Sequence, residues 1–136
     1  MKQAPHNEDN ITKLLDEVDL TKFVHLIKVN HPIHIASVRP DGNPNLAVAS
    51  DVLLLNKTQL VISNNQMIWT PHNVQQNSNV VLTSFNDKWA GIRMTGTVEY
   101  HTSGKYLDMC RELYGSATCT PRGAMVITIT KIEEIA

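Results

Sequence analysis

The sequence predicts an all-β domain: a six-stranded antiparallel barrel of Greek-key-like order with a few short peripheral helices. Three observations lead there. From residue 33 onward, short runs rich in Val, Ile, Leu and Thr recur at close spacing, separated by clusters of Asn, Asp, Gly and Pro. Residues 92–100 alternate apolar and polar almost without exception. Helix-period stretches are few and short, so the strands must bury their apolar faces against one another, as they do in a small closed barrel.

Residues 1–136 read as one domain. Ile11, Leu14, Leu15 and Val18, then Phe23, Val24, Leu26 and Ile27, follow helical spacing. This predicts two short helices broken near Asp19-Leu20, the first within an N-terminal helical extension over residues 1–19. Asp19 or Thr21 is placed to cap the second. Ile33 to Val38 is the first strand. The turn formers Arg39-Pro40-Asp41-Gly42-Asn43-Pro44 lead into a second, Leu46 to Leu55, as a hairpin. Gln59 to Ser63 and Val80 to Phe85 follow. In the strand Ile92 to Tyr100, Ile92, Met94, Val98 and Tyr100 share one face. Arg93, Thr95, Thr97 and Glu99 share the other, and Gly96 marks a bulge or sharp bend. Ser103 to Gly115 is a helix capped by Thr102 or Ser103, with Tyr106, Leu107, Cys110, Leu113 and Tyr114 as its stripe. Ala124 to Ile132 is the last strand. Its two apolar or β-branched faces must be covered twice, which predicts a homodimer.

Composition removes several function classes. A net charge of −1 gives no basic field for nucleic acid or an anionic membrane. No apolar run approaches the roughly 20 residues of a membrane-spanning helix. The polar residues 1–10 hold no apolar signal region, and Cys110 and Cys119 lack metal-ligand spacing; both fit reduced thiols in a cytoplasmic protein. The six histidines form no HxH or HxxxH pair, so no metal site is expected. No GxSxG motif, carboxylate pair or Cys-His set offers a nucleophile with its base, so the catalytic residues stay unknown.

The segment from Leu60 to Tyr100 carries the functional signal. It reads strand, polar loop, short helix, strand, turn, strand, and Thr70, Pro71 and His72 fall where the helix begins. Free amides at a helix start attract anions, and a Thr hydroxyl adds a donor. Thr70 therefore reads equally as a helix N-cap or a phosphate contact. Asn73 reads as a locally bonded structural residue. Trp69 covers the barrel mouth or lies against a ligand ring. Ser50 and Asp51 interrupt an apolar strand, either as a solvent-facing bulge or as ligand contacts.

Four segments in this order resemble the split-barrel flavoproteins related to pyridoxamine 5′-phosphate oxidase, and most closely their small FMN-binding members. They are Ile35-Ala36-Ser37-Val38 with Asp41-Gly42-Asn43-Pro44; Thr70-Pro71-His72-Asn73-Val74-Gln75-Gln76-Asn77 with Val80; Ile92-Arg93-Met94-Thr95-Gly96-Thr97-Val98-Glu99; and Ala124-Met125-Val126-Ile127-Thr128-Ile129. The resemblance covers about residues 20–135. It implies FMN at a homodimer interface, with Ser50, Asp51 and Val52 beside the isoalloxazine ring. Ser63 and Asn64 would face the ring's polar edge, and the loop of Met67, Ile68, Trp69, Thr70 and Asn73 would hold the phosphate. Trp69 stands where the family pattern has a lysine, which leaves His72 or a partner-subunit residue to supply the charge. The function implied is a small oxidoreductase or electron-transfer flavoprotein. The alternative is a non-catalytic split barrel that has lost flavin or holds another ligand such as haem.

Overall fold

The computed structural model describes residues 12–116 and 118–135. Eight strands form one antiparallel sheet: β1 Thr12–Leu14, β2 Ile33–Val38, β3 Pro44–Ala49, β4 Val52–Leu54, β5 Gln59–Asn64, β6 Asn79–Phe85, β7 Gly91–His101 and β8 Gly123–Ile135. Two α-helices interrupt them, α1 at Trp69–Gln76 and α2 at Lys105–Tyr114. The strand order is β3-β2-β6-β7-β8-β5-β4, with β1 added to the far half of β8.

This order makes the sheet a split barrel. Its outermost strands, β3 and β4, are consecutive in the chain, and only Ser50 and Asp51 lie between them. Three Cα steps span at most about 11 Å. The two edges must therefore curl round to meet, and the expected all-β barrel class holds.

The core is built in rows across the strands. Ile35, Leu82, Met94 and Ile132 are successive partners across β2, β6, β7 and β8. Val98, Ile127 and Leu60 form a second row, and Met125, Ile62 and Val52 a third. All of these are buried in one cluster. Burying each such side chain contributes about 1.5–3 kcal/mol, and the alternating pattern of β7 places all its apolar residues on that side.

β8 is apolar on both faces because the chain itself covers both. Ala124 and Val126 pack with Val61 and Cys110, against Tyr106 and Tyr114 of α2. The second face that suggested a partner subunit is thus sheltered by α2.

Several expectations need correction. The strand count is eight rather than six, because Leu46 to Leu55 is split at Ser50-Asp51 and β1 adds a further strand. The predicted helical extension over residues 1–19 fails where it is described: Thr12–Leu14 pairs antiparallel with β8, Thr12 opposite Ile135. The remainder of that expectation, residues 1–11, lies outside the described residues. The second predicted helix shrinks to a single 3-10 turn, Leu20–Phe23, with Asp19 as its N-cap accepting from the Thr21 amide. That turn is docked by the Leu20 amide on the Lys57 carbonyl, and the segment after it by the Ser84 hydroxyl on the Leu26 carbonyl. At α2 the N-cap is Gly104, with no side-chain cap, rather than Thr102 or Ser103. The irregularity foreseen at Gly96 is real, but its extra residue, Thr130, belongs to β8. Gly96 is required there because a Cβ would overlap the Thr128 carbonyl oxygen.

Candidate functional site

The sheet edges meet at Ser50-Asp51, and a cavity of about 480 Å³ opens at that point. Ser50, Asp51, Ser63, Asn65, Met67 and Cys119 line it, together with the end of β3. The polar groups are linked. The Ser63 amide donates to the Asp51 carbonyl at 2.9 Å, and the Asn65 side-chain amide donates to the Asp51 carboxylate at 2.7 Å. The Ser63 hydroxyl donates to Asn65 Oδ1 at 2.9 Å. Ser63 also bonds the Cys110 thiol behind it, whose pKa is raised, chiefly by burial. Burial likewise raises the Tyr114 phenol, which donates to the Val52 carbonyl at 2.6 Å.

Asn64 is wholly inside the fold. Its Nδ2 donates to the Tyr100 hydroxyl at 2.9 Å, while its Oδ1 accepts the Met67 amide at 2.8 Å. It fixes the turn between β5 and α1. That turn runs from the cavity to the helix start in four residues, 65 to 68.

α1 starts without a side-chain cap. Ile68 occupies the N-cap position and is exposed. Thr70 is the second helical residue, so its reading as the N-cap is overturned. Its hydroxyl instead lies 3.5 Å from Asn45 Nδ2 on β3. Pro71 has no N–H, which leaves the amides of Ile68, Trp69 and Thr70 as the unbonded start of the helix. Asn73 is fully buried, and its bond is not local: Nδ2 donates to the Ser37 hydroxyl of β2 at 3.1 Å. Its Oδ1 is buried without a partner.

Trp69 is 52% exposed, and it does not stand alone. The Arg39 guanidinium lies over its ring, 5.1 Å from the centroid, and His72 meets it edge-on at 5.8 Å. Arg39 also donates to Asn45 Oδ1 at 2.9 Å. The β2–β3 turn sets it there: the Arg39 amide donates to the Asn43 carbonyl, and Gly42, at φ +89°, donates back to the Arg39 carbonyl. Among the described residues, Arg39 is in no ion pair.

The structure thus gathers Ser50, Asp51, Ser63 and Met67 round one cavity and Trp69, Thr70 and Asn73 along the first turns of α1. Val52 points into the main core, and Asn64 pins the turn. Sequence reasoning missed Arg39, Asn45 and Ser37. Arg39 was read only as a turn former, and its nearest acidic neighbour, Asp41, is taken up by the Asn43 amide and side chain rather than by Arg39. Among the described residues no cluster of three metal-ligating side chains exists, and no helix is long and apolar enough to cross a membrane.

Comparison with known proteins agrees with this architecture. The family model described as pyridoxamine 5′-phosphate oxidase matches residues 21–136. A protein of Methanocaldococcus jannaschii, described as uncharacterized, is 34% identical over 131 residues, which is 93% of this chain and 84% of that one. Among solved structures, HupZ of Group A Streptococcus superposes with a TM-score of 0.76 at 21% identity, over 84% of this chain and 97% of that one. An FMN-binding protein of Syntrophomonas wolfei superposes with a TM-score of 0.70 at 17% identity, over 90% and 86% of the two chains. The match over most of the length, by sequence and by fold, shows that this chain belongs to the pyridoxamine 5′-phosphate oxidase family.

Proposed function

We propose that the protein binds FMN and works as a small oxidoreductase or electron-transfer flavoprotein. One observation carries the reading: a polar path runs from the cavity at Ser50-Asp51, through the Asn64-pinned turn, to the uncapped start of α1. Its two ends suit the two ends of a flavin mononucleotide. The cavity volume is that of a small-molecule pocket, roughly 300–1,000 Å³. Asn45 beside Thr70 and Ser50 at the cavity lie five residues apart on one strand path, about 17 Å at the usual rise. A ligand with a planar head and an anionic tail matches that separation.

The residues present fit the group. Asn73 Oδ1 and Arg39 Nε are buried without partners, which is costly unless a ligand or water satisfies them. In this reading the helix-start amides and Thr70 take the phosphate, while Ser50, Asp51 and Ser63 meet the polar edge of the ring. When bound, FMN supplies the one- and two-electron chemistry. The chain supplies position, polarity and exclusion of water. The S. wolfei protein's description as FMN-binding supports the assignment.

The reading includes a homodimer. The outer face of β3, β2 and β6 carries Leu46, Ala36 and Val81 in one cross-strand row, with Val48 and His34 in the next. Leu46 and Val48 are 67% and 58% exposed. Adjacent exposed apolar residues on a sheet face favour a covering partner.

The direct test is the visible spectrum and intact mass of the purified protein, followed by titration of apoprotein with FMN. Flavin absorption bands and saturable FMN binding are expected. A colourless protein that takes up no FMN, or a red one carrying haem, would sink the proposal.

A further inference from the structure

We propose that Arg39, held over the Trp69 ring, makes this site selective for phosphate monoesters and replaces the cation that a lysine at position 69 would bring. The inference deepens the flavin reading and rests on it for which monoester binds.

Arg39 differs from the other arginines of the chain. Arg93 is paired with Glu133, and Arg111 and Arg122 donate to the backbone carbonyls of Pro121 and Asn65. Arg39 has an aromatic face and one amide oxygen, but no carboxylate among the described residues. A guanidinium has five N–H donors. One is spent on Asn45, and Nε is buried with no acceptor at all. A cation kept without an anion, with a desolvated donor left over, is arranged for an anion that arrives from outside.

The surroundings say where that anion sits. Asn45 takes the Arg39 N–H on its Oδ1 and turns its Nδ2 toward the Thr70 hydroxyl, so Arg39 and the first turn of α1 are fixed to one strand residue. The Trp69 ring beneath the guanidinium and the unbonded amides of Ile68, Trp69 and Thr70 lie on adjacent residues. Asn73, one turn further along the helix from Thr70, is fully buried with one end of its amide unsatisfied. The Ser37 hydroxyl can donate or accept, so the amide can turn over and present an N–H. A planar fork, helix-start amides and a hydroxyl converge. This set suits a tetrahedral dianion better than a planar carboxylate.

The position of Trp69 then has a physical role. An arginine reaching from a hairpin turn has many rotamers. The ring confines it by cation–π contact, and the Asn45 bond sets its tilt. A lysine at position 69 would bring a point charge from the helix itself. Here the charge comes from the β2–β3 turn and the helix provides the platform.

The test uses the full chain with Trp89→Phe, so that Trp69 is the only fluorescent tryptophan, in phosphate-free buffer. The probes are inorganic phosphate, FMN and riboflavin. Inorganic phosphate is expected to change Trp69 fluorescence saturably, and Arg39→Gln to abolish that change. Arg39→Gln should weaken FMN by roughly 10–100-fold, the range of a charge-assisted contact, and riboflavin by less than about threefold. Arg39→Lys should fall between, since it keeps the charge but loses the fork. Trp69→Leu should weaken FMN with Arg39 intact, and it keeps the test informative should Arg39→Gln fold poorly. Equal losses for FMN and riboflavin, or no fluorescence response to phosphate, would overturn the proposal. A phosphate response that depends on Arg39, in a protein that binds no FMN, would uphold the anion site and remove the flavin.

Discussion

The Tyr100 hydroxyl occupies the space that a side chain at position 123 would fill. The same hydroxyl accepts the Asn64 amide, whose oxygen holds the Met67 N–H. Gly123 is thus the empty volume on which the turn into α1 depends. Gly123→Ala should displace the Tyr100 ring, break its bond to Asn64 and cost about 1–3 kcal/mol, the usual range for overpacking. Urea unfolding measures this. In a Tyr100→Ala background the same substitution should cost far less, because the obstacle is gone. An equal cost in both backgrounds would place the strain elsewhere.

Thr70→Val keeps the volume of a buried side chain but removes the hydroxyl near Asn45. If that hydroxyl serves the phosphate, FMN binding should weaken by roughly 1–3 kcal/mol, with riboflavin hardly affected. Calorimetric titration with both ligands separates this from a purely structural role, which would lower the two affinities together.

Arg93 and Glu133 are direct cross-strand partners on β7 and β8 and bond through two contacts, 3.1 and 2.9 Å. The bond from Arg93 holds the Glu133 carboxyl below its ordinary value of 4.5, more than its partial burial raises it. A carboxyl with a depressed folded-state pKa stabilises the fold above the unfolded value. That stability is lost as pH falls through the folded value. Glu133→Gln should therefore unfold more easily at pH 7 by about 1 kcal/mol or less, since Arg93 is partly exposed. Well below pH 4 the difference between variant and parent should shrink. A gap that widens in acid would contradict the assignment.

Light scattering at micromolar concentration should give twice the 15.2 kDa chain mass. Leu46→Lys with Val48→Lys should halve it, because two charges would be carried into the middle of an apolar contact. A monomer mass for the parent protein would remove the dimer from the proposed function.

Much of the barrel was legible because its signals are local. β2, β5, β6, β7 and β8 each carry their own alternation or β-branched run between turn formers, and strand pairing needed little beyond that. β1 was not legible. Ile11, Leu14, Leu15 and Val18 repeat at helical spacing, and Thr12–Leu14 is a strand only because β8 runs on past the start of β5 and leaves that edge open for it. The break at Ser50-Asp51 was visible as polarity, but its cause was not. It marks where the two edges of a closed sheet meet, a property of the whole topology. At the site, the loop sequence pointed to Thr70 as a helix cap or phosphate contact and to Asn73 as a locally bonded residue, and only the family resemblance placed both at the phosphate. It could not show that both are sealed against β2 and β3 or that a hairpin arginine reaches Trp69, since those contacts join residues about 25 to 36 positions apart.

β8 is the common neighbour of β1, β5 and β7, and it is the last strand of the sheet along the chain. A polypeptide emerging N-terminus first therefore holds seven strands before the one that joins the two halves of the sheet. Until then, β5 shows an unpaired edge, and the apolar side chains of β7 and β5 have no lid. Folding must wait for contacts between the most distant parts of the sequence, which slows closure and exposes strand edges to other chains. Loss of even the distal half of β8 would leave β1 with nothing to pair with. Truncation within Gly123–Ile135 is thus expected to lower the recovery of soluble protein.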